Sequence, residues 1–323
     1  MAKRPVRDIR ARDLTTPDGI LRAYDAAQGF SAKEVSRAAD ILETMFRDRE
    51  GTVFLSFPAD LVSTGTRGII HELIQRGLVD VLVTTCGTLD HDLARAWKPY
   101  LEGDWLLDDR DLARRHIYRL GNILIPEANY GGVIERRMRA LLQKLWTRGV
   151  RKISTKELVW AIGEDLGPVR GRGSICRAAF ERKVPVFIPG PTDGSVGSQL
   201  WLFWQDHRDL SLDLFHDEQD LSDIVFQARR THALILGGGI SKHHTIWWNQ
   251  FRGGLDSAAY ITTAVEWDGS LSGARLREAV SWGKVKPTAR QVTVEGDVTV
   301  LLPLLVGGVL ERLGMFQRRG TTE

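Results

Sequence analysis

Five times along the chain a short apolar run, rich in β-branched residues, gives way to a turn of Gly, Asp, Ser or Thr and then to an amphipathic helical pattern. TVFLSF (52–57) leads through PADLVSTG into TRGIIHELIQRG, and VDVLVTT (79–85) leads through CGTLDHD into LARAWKPY. VPVFIPG (184–190) leads into SQLWLFWQ, HALILGGG (232–239) into TIWWNQF, and AAYITTA (258–264) into ARLREAVSW. Continuous apolar runs of this length fit strands covered on both faces, and their alternation with helices predicts βαβ units. The expected fold class is α/β: a Rossmann-like, doubly wound, mostly parallel sheet with helices on both faces. Ahead of the first strand, residues 18–48 read as a helical extension of two helices broken near Gly29, with Ser31 as N-cap of the second. No linker or repeat divides the chain, so one domain is expected over 18–323, preceded by an arm over 1–17. Ligands of such sheets sit outside the carboxyl ends of the strands, where these turns converge.

Composition narrows the function classes. Hydrophobic residues make up 43% of the 323 and charged residues 26%, the ordinary globular mixture. The net charge is +3 with acids and bases interspersed, which gives no clustered basic surface for nucleic acid. Cys86 and Cys176 lie far apart without Cys-x-x-Cys spacing, as in a reducing compartment. The longest apolar run, VTVLLPLLVGGVL (298–310), falls short of the roughly 20 residues that span a bilayer. The basic N-terminus is followed by no apolar signal core, so a cytoplasmic location without membrane attachment is expected.

LILGGGISKHH (234–244) is the strongest local signal: three glycines after a strand let a backbone approach a ligand, and the next helix presents its first N–H groups to an anion such as a pyrophosphate. A tight turn without ligand has the same spacing. GRGSIC (171–176) lacks the third glycine and the preceding strand of a nucleotide fingerprint. His243 and His244 are adjacent, about 100° apart on a helix, and do not share a metal; no metal motif occurs elsewhere. DHD (90–92) sits where a helix starts, suited to the helix dipole as much as to a ligand. In DGSLSGARLREAVSWGK (268–284), Glu278 and Trp282 are four apart, hence on one helical face, and Lys284 follows just beyond. A lysine there is either a surface cation at a helix C-terminus or a nucleophile toward carbonyl or imine carbon.

At these residues the chain resembles the deoxyhypusine synthases, in a divergent, archaeal-like form, from about residue 18 to 312. The resemblance is carried by LVSTG (61–65), VDVLVTTCG (79–87), RLGNILIP (119–126), VPVFIPGPTDGSVG (184–197), ILGGGISKHH (235–244), YITTAVEWDGSLSGA (260–274) and EAVSWGKV (278–285). It implies an NAD-dependent enzyme that takes hydride from spermidine, releases 1,3-diaminopropane and holds the 4-aminobutyl group as a Schiff base on a lysine. The group then passes to a lysine of the translation initiation factor precursor that carries hypusine. By motif match Lys284 is the imine lysine and His243 the proton acceptor. Asp90, His91, Gly269, Ser270, Glu278 and Trp282 match polyamine-contacting positions. Ser63, Thr85, Gly87, Asp193, Gly237, Gly238, Thr263, Ala264, Asp268 and Asp297 match NAD-contacting positions.

The resemblance further implies a homotetramer with active sites at the dimer interface, and an N-terminal arm that covers a neighbour's site. His91, Ser198 and Leu271 stand where the eukaryotic pattern has acids, which removes charge-assisted contacts to a trication. Two alternatives follow: a related aminobutyltransferase that uses another polyamine or a small-molecule acceptor, as in homospermidine formation, or a non-catalytic subunit that activates a second chain. Retention of Lys284, His243, Glu278 and the glycines argues against the last.

Overall fold

Six strands form one sheet: β1 (Gly51–Ser56), β2 (Val81–Val83), β3 (Val186–Phe187), β4 (Arg230–Leu236), β5 (Leu255–Thr262) and β6 (Val285–Glu295). The computed structural model describes residues 4–316; residues 1–3 of the expected arm and the last seven of the chain lie outside the described residues. All neighbours pair in parallel, in the order β6-β5-β4-β1-β2-β3. This is the doubly wound order, and the direction of winding reverses between β1 and β4.

The apolar runs are continuous because successive residues enter different cores. Val53 and Leu55 of β1 face one core and Phe54 the other; Leu234 and Leu236 are likewise opposed to Ala233 and Ile235, and Ala259 and Ile261 to Ala258 and Tyr260. The first core is closed by helices Pro17–Ala27, Phe30–Arg47 and Val298–Arg312, through Leu21, Leu42 and Leu302 among others. The second is closed by Gly239–Gln250 and Leu276–Ser281, through Ile246, Leu276 and Ala279. Each buried leucine or isoleucine among these contributes about 1.5–3 kcal/mol by leaving water. Among the described residues no helix is long and apolar enough to cross a membrane.

Four features depart from the sequence-based expectations. Ser31 does not cap the second helix: Gln28 turns left-handed (φ 53°), the Gly29 carbonyl accepts the first helical bond from Lys33, and Ser31 lies inside the helix. Helices Gly87–Trp97 and Gly239–Gln250 start earlier than expected and absorb the turns CGTLDHD and ISKHH, so His91 and His243 stand on helices. A three-stranded antiparallel sheet (Leu101–Glu102, Ile117–Leu120, Ile123–Pro126) is inserted between β2 and β3. Finally, β6 is an edge strand with many exposed polar positions and Pro287, so it lacks the apolar run that marks the buried strands.

Candidate active site

Helix Leu276–Ser281 ends in a left-handed glycine. Gly283 (φ 68°) donates its N–H to Val280 O and Lys284 N–H reaches back to Ala279 O, both at 3.0 Å, the paired bonds of a Schellman cap. The Lys284 carbonyl accepts from Leu255 N at 3.1 Å, which fixes the lysine at the amino end of β6, beside the start of β5. The residue is 8% exposed, so it is not a surface cation. The ammonium lies 5.2 Å from the Trp282 ring and 5.7 Å from the Trp247 ring.

Trp247 comes from helix Gly239–Gln250, where it stands four residues after His243; the two rings stack with centroids 5.7 Å apart. Burial, and secondarily the charge of Lys284, push the His243 pKa below its ordinary value of 6.5 and favour the neutral ring. His244 turns to the other side, 3.4 Å from Glu218, and burial brings its pKa down to about 4. His243, Trp247, Glu278, Trp282 and Lys284 line one cavity of about 290 Å³, together with Lys242, Leu271 and Ala274. Glu278 and Trp282 thus share a wall, as their spacing predicts.

A second group of residues gathers at the carboxyl ends of the strands. Gly237 (φ 67°) closes the turn after β4 against the turn after β1: a Cβ there would stand 3.1 Å from Pro58 Cγ. At Gly238 a Cβ would stand 2.2 Å from Ser272 Oγ, so the turn after β5 is pressed on the same spot. Thr85 Oγ1 accepts from Ala59 N at 3.1 Å, and a Cβ on Gly87 would lie 2.9 Å from Ala59 Cβ. Ser63 is buried with its hydroxyl on Asp60 O, and Arg95 Nη1 holds the carbonyls of Val62 and Thr64 on either side, each at 2.6 Å. Thr263 and Ala264 follow β5 directly, and Asp193 is exposed in the turn before helix Ser195–Asp206. Asp268 accepts from Ser270 N at 2.7 Å, whereas Asp297 is occupied as the N-cap of helix Val298–Arg312, accepting from Thr299 N at 2.7 Å.

A family model described as deoxyhypusine synthase matches residues 19–309. The chain belongs to the deoxyhypusine synthase family. It is 50% identical to the "Probable deoxyhypusine synthase" of Picrophilus torridus over 311 residues, covering 96% of this chain and 98% of the relative. It is 47% identical to that of Thermoplasma acidophilum over 310 residues, again covering 96% and 98%. The crystal structure of an Entamoeba histolytica protein assigned as a deoxyhypusine synthase superposes with a TM-score of 0.67 at 18% identity, covering 94% of this chain and 96% of the other, a likeness of fold. Family membership supports an aminobutyltransferase.

Four of the six polyamine positions expected from the family pattern, Asp90, His91, Gly269 and Ser270, do not line the Lys284 cavity within the chain. Asp90 and His91 stand on the helix after β2 and do not line the lysine's cavity, which lies beside β4 to β6. Asp90 is 1% exposed, and its oxygens accept from Ser195 N (2.8 Å), Val196 N (2.7 Å) and the Tyr130 hydroxyl (2.9 Å), so it caps helix Ser195–Asp206. His91 Nδ1 is 2.8 Å from the Tyr100 hydroxyl, and burial brings its pKa down to about 4. Gly269 and Ser270 form the exposed turn that leads into Leu271 and do not line the cavity themselves. Sequence reasoning missed Trp247, although its i,i+4 relation to His243 was a usable signal. It also missed Arg95 and Lys242, whose roles come from contacts distant in sequence.

Proposed function

We propose that this chain transfers the 4-aminobutyl group of spermidine, through an imine on Lys284, to a lysine of the hypusine-bearing initiation factor precursor, with NAD as the hydride store. The observation that carries this reading is a buried ammonium between two indoles, in a cavity shared with His243 and Glu278. The glycine turn fits the dinucleotide: Pro58 and Ser272 pack against Gly237 and Gly238, Gly239 (φ 71°) has open space where a Cβ would stand, and helix Gly239–Gln250 begins there with N–H groups that no side chain caps, as a pyrophosphate requires. NAD, when bound, supplies the two-electron oxidant and later returns the hydride.

His243 lies about 6 Å along the helix from Gly239, near the rim and inside the cavity. Its neutral ring accepts the proton that the secondary ammonium of spermidine gives up as hydride leaves the adjacent carbon. Lys284, as the neutral amine, adds to the resulting imine carbon; its new C–N bond replaces the C–N bond to 1,3-diaminopropane, which departs with the proton that the lysine nitrogen loses. The Trp247 and Trp282 rings keep water from the hydrolysable imine, and the Glu278 carboxylate pairs with a substrate ammonium. The factor's lysine then displaces Lys284 by the same exchange. Trp282, Leu271 and Trp247, 64%, 47% and 39% exposed in the single chain, form an apolar rim around the cavity that a neighbouring subunit of the proposed homotetramer would cover.

Incubation with NAD and spermidine without acceptor, followed by mass spectrometry, is expected to yield 1,3-diaminopropane. Protein that binds NAD and yields none would exclude spermidine as donor. Leu271 lines the cavity where the eukaryotic pattern has an acid, and this favours a second reading: a related aminobutyltransferase acting with another amine. Under the first reading Leu271→Asp lowers the spermidine KM by about tenfold. A raised KM would favour the second.

A further inference from the structure

Lys242 takes no part in this chemistry, yet it is 2% exposed in the floor of the cavity. Its Nζ donates to the carbonyl oxygens of Leu271 (2.6 Å) and Ala274 (2.5 Å) and stands 4.0 Å over the Tyr260 ring. The carbonyl of Ser272, between those two residues, accepts from the Tyr260 hydroxyl and from Thr262 Oγ1. Three carbonyls of one short turn are therefore held from β5 and from the helix that carries His243. Leu271 and Ala274 line the cavity, and Ser272 is the residue packed against Gly238.

An ammonium is costly to bury, and an apolar side chain of similar length would fill the same space without that cost. Desolvation brings the Lys242 pKa down to about 8; Glu278 opposes the shift, while Arg275 and Lys284 reinforce it. What the ammonium provides and a methionine does not is a pair of charge-assisted bonds that fix two carbonyls at once.

We propose that Lys242 is a positioning residue that holds the Leu271–Ala274 turn as the wall of the amine cavity, against which the methylene chain of the substrate packs. The proposal rests on reading the cavity as the amine site. Because helix Gly239–Gln250 carries Lys242 as well as the glycine turn, the wall and the dinucleotide rim are set by one rigid element.

The test is Lys242→Met in the full chain. The spermidine KM is expected to rise about tenfold, with kcat within about threefold and NAD affinity within about twofold of the parent. Hydrogen–deuterium exchange over residues 269–275 is expected to increase, while helix Gly239–Gln250 keeps its protection. Tyr260→Phe, which frees one of the three carbonyls, should move the same two readouts by less and serves if Lys242→Met does not fold. The exchange readout needs no substrate, so it stands even if spermidine is not the donor. Unchanged exchange over 269–275 overturns the positioning role, and so does an unchanged KM in protein that does use spermidine. A parallel fall in kcat and NAD affinity also overturns it, since that would make Lys242 a general support of the fold.

Discussion

At its first turn, helix Gly239–Gln250 meets the carboxyl ends of the strands through glycine backbone and the grip of Lys242 on the turn after β5; two turns later it presents Trp247 to Lys284 at the amino end of β6. The rim excludes side chains: Gly237 and Gly238 leave no room for a Cβ between Pro58 and Ser272. The lysine corner assembles them, with an amine, two indoles, an imidazole and a carboxylate around one cavity. The contrast matters because the two ends fail differently. On the proposed function, a substitution at the rim acts through sterics and shifts affinity, whereas one at the corner removes a reacting group and shifts rate.

The sharpest break of that contrast is Lys284→Ala. Transfer to the acceptor is expected to fall by at least about a thousandfold, with NAD affinity within about twofold, read by product mass spectrometry and calorimetric titration. Transfer that persists in this variant would remove Lys284 as the nucleophile.

Next in size is His243. Its pKa is depressed, so the neutral form persists below pH 6.5, and the share of kcat/KM that depends on His243 should be lost as the pH drops further through the lowered value. His243→Gln is expected to cost about a hundredfold in kcat and to flatten that acid limb. A His243→Gln profile that keeps the parent's acid limb would contradict the assignment.

The smallest effect belongs to the rim. A methyl on Gly238 would come within 2.5 Å of Ser272 Cα as well as 2.2 Å of its Oγ, so the turn after β5 must move. Gly238→Ala is expected to weaken NAD binding about tenfold and to cost about 1–3 kcal/mol of stability, read by titration and thermal unfolding. If kcat fell far more than NAD affinity, the separation between rim and corner would be wrong.

Local rules made much of this legible. The five buried strands announce themselves because each is covered on both faces, and the glycine turn because only glycine fits where two loops close. β6 stayed hidden because an edge strand needs no apolar run, and with it went the fact that Lys284 sits at the amino end of a strand. Asp90 shows the opposite case. Its match to a polyamine position is a sequence resemblance, yet its carboxylate is taken up by the N-terminus of helix Ser195–Asp206, 105 positions away along the chain.

The sequence by itself determined the α/β alternation, the glycine turn, the family and the lysine to single out, since each is written in local periodicity or in contiguous motifs. Tertiary structure alone decided that Lys284 is buried rather than solvated, that His243 faces the cavity while His244 turns to Glu218, and that Lys242 grips a turn about thirty residues downstream. Those outcomes depend on which helices the doubly wound sheet lays side by side, and that is a property of long-range packing to which no short stretch of sequence has access.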